Sequence, residues 1–222
     1  LVAHQSGNLQ VEAASPAIFA ALYLAASRLP AQPGALLLTA ALAGFLVGCK
    51  ISNGLLALPI AAWMLWRLRG AWPRPRAWAA AVALGAFVGG SSYFWATLLA
   101  GNPVLPLFNG VFGSPYFLPI NWKDSIWQLP WGPGLPWDLV FDTDRYMTAL
   151  PGALGAFWLV LAGALPWALR DARLRPALLL ALAGFLLVFA QVQYVRYALP
   201  VLTLLAPALF AGLWQVAPRS TP

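Results

Sequence analysis

The sequence predicts an all-α chain: a polytopic transmembrane helix bundle of about seven spanning helices, with one long, partly helical outer loop. Three observations carry this. Hydrophobic residues make up 61% of the 222 residues and charged residues only 9%, against roughly 25% charged in soluble domains. Mean hydropathy is +0.74. The apolar residues fall into runs close to the length of about 20 residues that a spanning helix needs. Polar side chains are too few to cover a folded surface in water. A water-soluble domain, a disordered chain and a disulfide scaffold are therefore excluded, the last also because Cys49 stands alone.

Taken in order, the expected spans are approximately 12–28, 34–49, 54–67, 77–100, 148–169, 176–193 and 198–217. The first opens on Glu12, an acid that suits the positive end of a helix dipole. Residues 34–67 read as a single helix would be about 50 Å long, well beyond the roughly 30 Å hydrocarbon core. The stretch Lys50-Ile51-Ser52-Asn53-Gly54 has turn chemistry, since Asn and Gly tolerate positive φ. Two short helices meeting at a turn there are preferred. The whole, 1–222, reads as one transmembrane domain. Because it opens on Leu1 and residues 1–11 lack the pattern of a signal peptide, it is expected to be a piece of a longer membrane protein.

Charge sets the expected orientation. Arg67, Arg69, Arg74 and Arg76 share one short turn, and Arg170, Arg173 and Arg175 another. The positive-inside rule places both in the cytoplasm. Lys50, Lys123, Arg145 and Arg196 then lie outside, with Glu12, Asp124, Asp138, Asp142 and Asp144. The net charge of +7 is read as a face for anionic membrane lipids rather than for nucleic acid, because no basic block is joined to a soluble module.

The outer loop, about 101–147, is too rich in Trp, Phe and Tyr for disorder. Its prolines limit it to short helical turns. Its Trp residues either anchor the loop in the interface as an aromatic belt or line a site. Asn102, Asn109, Asn121, Lys123 and Asp124 alternate with those apolar anchors, as in a site floor. Lys50, flanked by apolar helices, either faces a wet cavity or snorkels to the headgroups. Arg196, in Gln191-Val192-Gln193-Tyr194-Val195-Arg196-Tyr197, is placed to hold a phosphate with help from its tyrosines, or to pair with Asp124 or Asp142. His4 is the only histidine and a weak candidate base. No transition-metal ligand set, phosphate loop, dinucleotide fingerprint or nucleophile elbow is present.

Three stretches resemble the polytopic glycosyltransferases of the GT-C superfamily, the group of bacterial protein mannosyltransferase-like and aminoarabinose transferase-like enzymes. They are Gly48-Cys49-Lys50-Ile51-Ser52-Asn53-Gly54; the loop run from Gly101-Asn102-Pro103 through Asn109 to Asn121-Trp122-Lys123-Asp124; and Val195-Arg196-Tyr197-Ala198-Leu199-Pro200. The resemblance implies transfer of a sugar from a polyprenyl-phosphate donor to a glycan, lipid or protein acceptor at the periplasmic face of a bacterial inner membrane. An acid would take the acceptor's proton, and cations would stabilise the departing phosphate. On this reading Arg196, Lys50 and Tyr197 hold the donor phosphate, and Asn102, Asn109, Trp122 and Lys123 line the substrate pocket. Glu12 and Asp124 are the acids to test, although the resemblance places the main acid in a first outer loop expected to lie outside this chain. It implies no certain cofactor and leaves a divalent ion open, since members with and without one occur. The competing reading is a polytopic transporter or lipid flippase, for which a broken helix at Lys50 also fits. A third is a non-catalytic scaffold that docks partners on the loop.

Overall fold

A computed structural model describes residues 14–32, 34–123, 128–146 and 150–216 of the chain. Among them every regular element is helical. In chain order these are α1 (Ser15–Ser27), α2 (Ala35–Cys49), α3 (Gly54–Leu68), α4 (Pro75–Ala100), α5 (Asn109–Phe112), α6 (Leu135–Phe141), α7 (Phe157–Ala162), α8 (Leu165–Arg170), α9 (Arg175–Gln191) and α10 (Val195–Val216). Short 3₁₀ turns occupy Ile51–Asn53 and Thr143–Tyr146. Three segments are long and apolar enough to cross a membrane: Ile51–Leu68, Pro75–Ala100 and Val195–Gln215. Helices α1, α2 and α9 are apolar but shorter.

The chain divides into two compact units, residues 21–126 and residues 1–20 with 127–222. In the first unit, α2 and α4 run parallel and in direct contact, joined in the chain by α3, which runs back the other way. Their contact is made by glycines spaced four apart on each helix, Gly44 and Gly48 against Gly85 and Gly89. A Cβ added to Gly48 would lie 2.8 Å from Gly89 Cα, and one on Gly85 2.9 Å from the Ala40 carbonyl oxygen. A Cβ on Gly89 would run into the carbonyl of Gly44. Small residues let the two backbones touch, which gives close van der Waals packing along the pair. Ser92 Oγ donates to the Gly48 carbonyl at 3.0 Å, and the Tyr93 hydroxyl donates to that of Val47. These bonds satisfy carbonyls at the end of α2 that no further helical turn reaches.

The break after α2 falls where the sequence places it, but by a different device. Lys50 is extended, with φ −165° and ψ 130°, whereas Asn53 and Gly54 are both right-handed helical. No positive φ is involved. The Asn53 side chain is buried and its Nδ2 donates to the Leu46 carbonyl at 3.0 Å. It caps the helix that has ended while opening the next.

In the second unit, α9 and α10 pack together, with α7 and α8 against them. Leu161, Ala168, Leu178, Ala208 and Leu209 form one buried cluster. Gly212 of α10 lies so close to α8 that a Cβ there would be 2.7 Å from that of Ala168. Asp171 ties the same end together: its Oδ2 accepts from Gln215 Nε2 at 2.9 Å. Arg175 donates to the carbonyls of Leu169 and Arg170 and so closes α8.

One expected element is corrected. The apolar run 148–169 is not one helix. Turns occupy residues 151–154, and α7 ends before α8 begins. Gly152 (φ 71°) and Gly155 (φ 88°) take left-handed conformations, which suit glycine. Pro166 has no N–H to give the carbonyl four residues back, and its ring presses on that turn.

Candidate functional site

The long loop after α4 begins at Gly101 (φ 69°), which ends that helix in a left-handed cap of the kind glycine favours. Gly48 packs at the level of Gly89 and Ser92, so the loop starts roughly 15 Å beyond the end of α2 along the helix axis. Lys50 and the loop therefore belong to the same end of this unit, and the turn bearing Arg67, Arg69, Arg74 and Arg76 belongs to the opposite end.

Two asparagines organise the first part of the loop. Both Asn102 and Asn109 are 0% exposed. Asn102 Nδ2 donates to the Leu107 carbonyl at 2.9 Å and to Asn109 Oδ1 at 3.1 Å, while its Oδ1 accepts from Val104 N at 2.9 Å. Asn109 Nδ2 faces the carbonyls of Ser114, Phe117 and Leu118 at 3.0 to 3.1 Å, and its Oδ1 accepts from Ser114 N at 2.9 Å. The polar atoms of both amides are thus used inside the loop. Neither side chain offers a polar atom at the loop surface. Between them, Phe108 adopts φ 53°, a conformation that costs a bulky side chain about 1–2 kcal/mol, and it is 52% exposed.

What the loop exposes lies further along. Trp122 is exposed and meets Phe117 edge to face, with ring centroids 5.8 Å apart. Lys123 and Asn121 are exposed too. Of the residues singled out in sequence, His4, Glu12 and Asp124 lie outside the described residues.

Arg196 belongs to the other unit. It lies in the first turn of α10, not ahead of that helix as the sequence implied. Its guanidinium stands over the rings of Tyr194 and Tyr197, 5.4 and 5.2 Å from their centroids, and the two rings meet edge to face at 5.1 Å. Such cation–π contacts fix the orientation of a guanidinium. A cation at a helix N-terminus opposes the helix dipole, but the same combination of positive charge and helix N-terminus suits an anion. Pro200 falls four residues after Arg196, so this first turn is built without that backbone bond.

The support beneath Arg196 is extensive. Tyr146, Phe189, Val195 and Ala198 are buried together, with Leu129, Leu135 and Phe185 against them. The buried side chain of Gln193 pairs with the backbone of Leu129, accepting from its N–H at 2.7 Å and donating to its carbonyl at 2.9 Å. Gln128 Nε2 donates to the Gln191 carbonyl at 2.8 Å. Residues 128 and 129 are thereby stitched to the α9–α10 corner. Sequence reading missed Gln193, whose polarity at the end of an apolar run was the available signal. Burial, then the nearby Asp138 and Asp142, raise the Tyr146 phenol above its usual range, with Arg145 opposing. Arg145 itself faces Asp138 at 3.5 Å on the surface. Among the described residues no three His, Cys, Asp or Glu side chains are grouped as a metal ion needs.

No family model matches the chain, and no similar curated protein or solved structure was found. The fold defines the class only broadly: an all-helical chain whose longest apolar helices could cross a membrane.

Proposed function

We propose that this chain is the membrane part of a glycosyltransferase that moves a sugar from a polyprenyl-phosphate donor to an acceptor at the outer face. The observation that carries the reading is Arg196, clamped by Tyr194 and Tyr197 at the start of a helix of spanning length. A planar, permanently charged fork is the side chain best suited to a phosphate oxygen pair. It stabilises the charge that develops as the lipid phosphate departs. Tyr197 shapes that position, and Lys50, at the break between α2 and α3, is the second cation of the reading. Trp122 and Lys123, on the loop that Asn102 and Asn109 hold in shape, are the proposed acceptor contacts. Glu12 and Asp124 are the acids to test as proton acceptors.

The proposed topology has about seven crossings, with α7 and α8 acting as one broken crossing. The turns carrying Arg67–Arg76 and Arg170–Arg175 are cytoplasmic, and the Lys50 break, the 101–147 loop and Arg196 are periplasmic. The proposed membrane is a bacterial inner membrane, on the resemblance of the three sequence stretches.

Transfer of radiolabelled sugar from a polyprenyl-phosphate donor tests the reading. Transfer lost on Arg196→Ala supports it; no transfer with any such donor counts against it. One observation favours a second reading. An extended residue between two apolar helices, as at Lys50, also occurs in transporters and flippases. Counterflow of substrate in sealed vesicles without sugar transfer would establish that reading instead.

A further inference from the structure

At the end of the first unit away from the outer loop, the α3–α4 turn forms an open cleft of about 460 Å³, a volume in the range of small-molecule sites. Its walls are wholly apolar in kind: Leu65, Trp72, Pro73, Pro75 and Trp78. The Trp72 and Trp78 rings lie 5.7 Å apart and tilted by 47°, leaving a slot rather than a stack. The rim is basic. Arg74 stands in sequence between the two lining prolines and Arg76 follows them, both exposed. Arg67 and Arg69 are held over the rings of Trp63 and Trp66, each 4.8 Å from the centroid. Within residues 21–126 the sequence holds one acid, Asp124. Because α3 and α4 are of spanning length, their shared turn falls at headgroup depth.

The geometry points to a binding site for one anionic phospholipid, its acyl chain lying along Leu65, Trp72 and Trp78 and its phosphate facing Arg74 and Arg76. Tryptophan and proline give a rigid apolar slot that needs little ordering on binding. Arginine supplies the bidentate donors that a phosphodiester accepts. The inference rests on the membrane placement of α3 and α4 and is independent of the transferase reading.

The test uses the full chain in phosphatidylcholine nanodiscs carrying phosphatidylglycerol with a photoreactive group on its acyl chain. Adducts are mapped by peptide mass spectrometry while the lipid is titrated. Adducts concentrated within residues 65–78, displaced by unlabelled phosphatidylglycerol, are expected. The double variant Arg74→Gln/Arg76→Gln should raise the half-saturating lipid concentration about 30-fold, given the attraction of each basic residue to anionic lipid. Its unfolding temperature should stay at the wild-type value, since both side chains are exposed. Equal labelling by photoreactive phosphatidylcholine would overturn the proposal in favour of ordinary lipid contact. Displacement by inorganic phosphate as effective as by the lipid would overturn it in favour of a free-anion site. A competent transferase lacking this labelling would reject the lipid site alone; labelling without transfer would leave the site standing and reject the transferase reading.

Discussion

The side-chain amide of Asn102 donates to the side-chain oxygen of Asn109 across 3.1 Å, and neither residue reaches solvent. The pair forms a polar core beneath a loop whose aromatic residues point outward, with Tyr116 71% exposed. In a loop without extended secondary structure, buried amides take over the role that a ladder of backbone bonds plays elsewhere.

Asn109→Ala should therefore loosen the loop. It removes the acceptor of Ser114 N and the donor facing three carbonyls, and each buried group left unsatisfied costs about 1–3 kcal/mol. Chymotrypsin cleavage within 101–123 should rise sharply, while Asn121→Ala, at an exposed position, should leave the rate near wild type. Equal rates in both variants would show that the network is not what orders the loop.

Gly89→Ala should destabilise the α2–α4 pair, because its Cβ would meet the Gly44 backbone. Overpacking of this kind costs about 1–3 kcal/mol. Gly90→Ala is the control, since nothing lies within 4 Å of a Cβ there. Thermal unfolding in detergent should separate the two neighbours, Gly89→Ala melting lower.

Tyr146 gives a pH dependence with a definite sign. Burial raises its phenol above the usual 10.0, so the folded state keeps a proton that the unfolded state releases. The stability it contributes is fully present below pH 10 and is lost as pH climbs through the raised folded value. Tyr146→Phe should flatten the loss of stability measured above pH 10. An unchanged alkaline slope would mean that another group governs it.

The topology is open to impermeant thiol labelling in a Cys49→Ser background. Tyr116→Cys and Ala71→Cys place thiols at exposed positions at opposite ends of their unit. They should label from opposite faces of the membrane, Tyr116→Cys from the periplasmic one. Ser114 is a poor reporter, being only 4% exposed. Labelling of both from one face would contradict the crossings assigned to α4.

Helical class, the long apolar helices and the break at Lys50 were legible in the sequence because run length, apolarity and turn chemistry are local signals. The device at that break was not. Asn53 suggested a left-handed turn, yet it acts through its side chain on the Leu46 carbonyl, a contact seven residues back that no local rule supplies. The run 148–169 misled because continuous apolarity conceals turns that Gly152, Gly155 and Pro166 make at little cost inside a packed unit. The pairing of Gly44 and Gly48 with Gly85 and Gly89 was not read from the sequence. Their meaning depends on the two helices lying side by side, although two four-residue glycine spacings in apolar runs were a readable signal. For the candidate site, the tyrosines flanking Arg196 were visible and their stacking under its guanidinium follows from the first turn of α10. Asn102 and Asn109 stood out in the sequence, but their mutual hydrogen bond did not, because interleaved polarity marks a site floor and a buried network alike.

The most direct measurement of the central claim is binding of a polyprenyl-phosphate sugar to the full chain in lipid, comparing wild type, Arg196→Ala, Arg196→Lys and Arg145→Ala. The transferase reading predicts binding that weakens about tenfold or more in Arg196→Ala, as expected for loss of a charged hydrogen bond. It predicts impairment in Arg196→Lys as well, since a point charge does not replace a planar fork, and near-wild-type binding in Arg145→Ala. Binding unaffected by either Arg196 substitution, or no binding across a panel of such lipids, would contradict it.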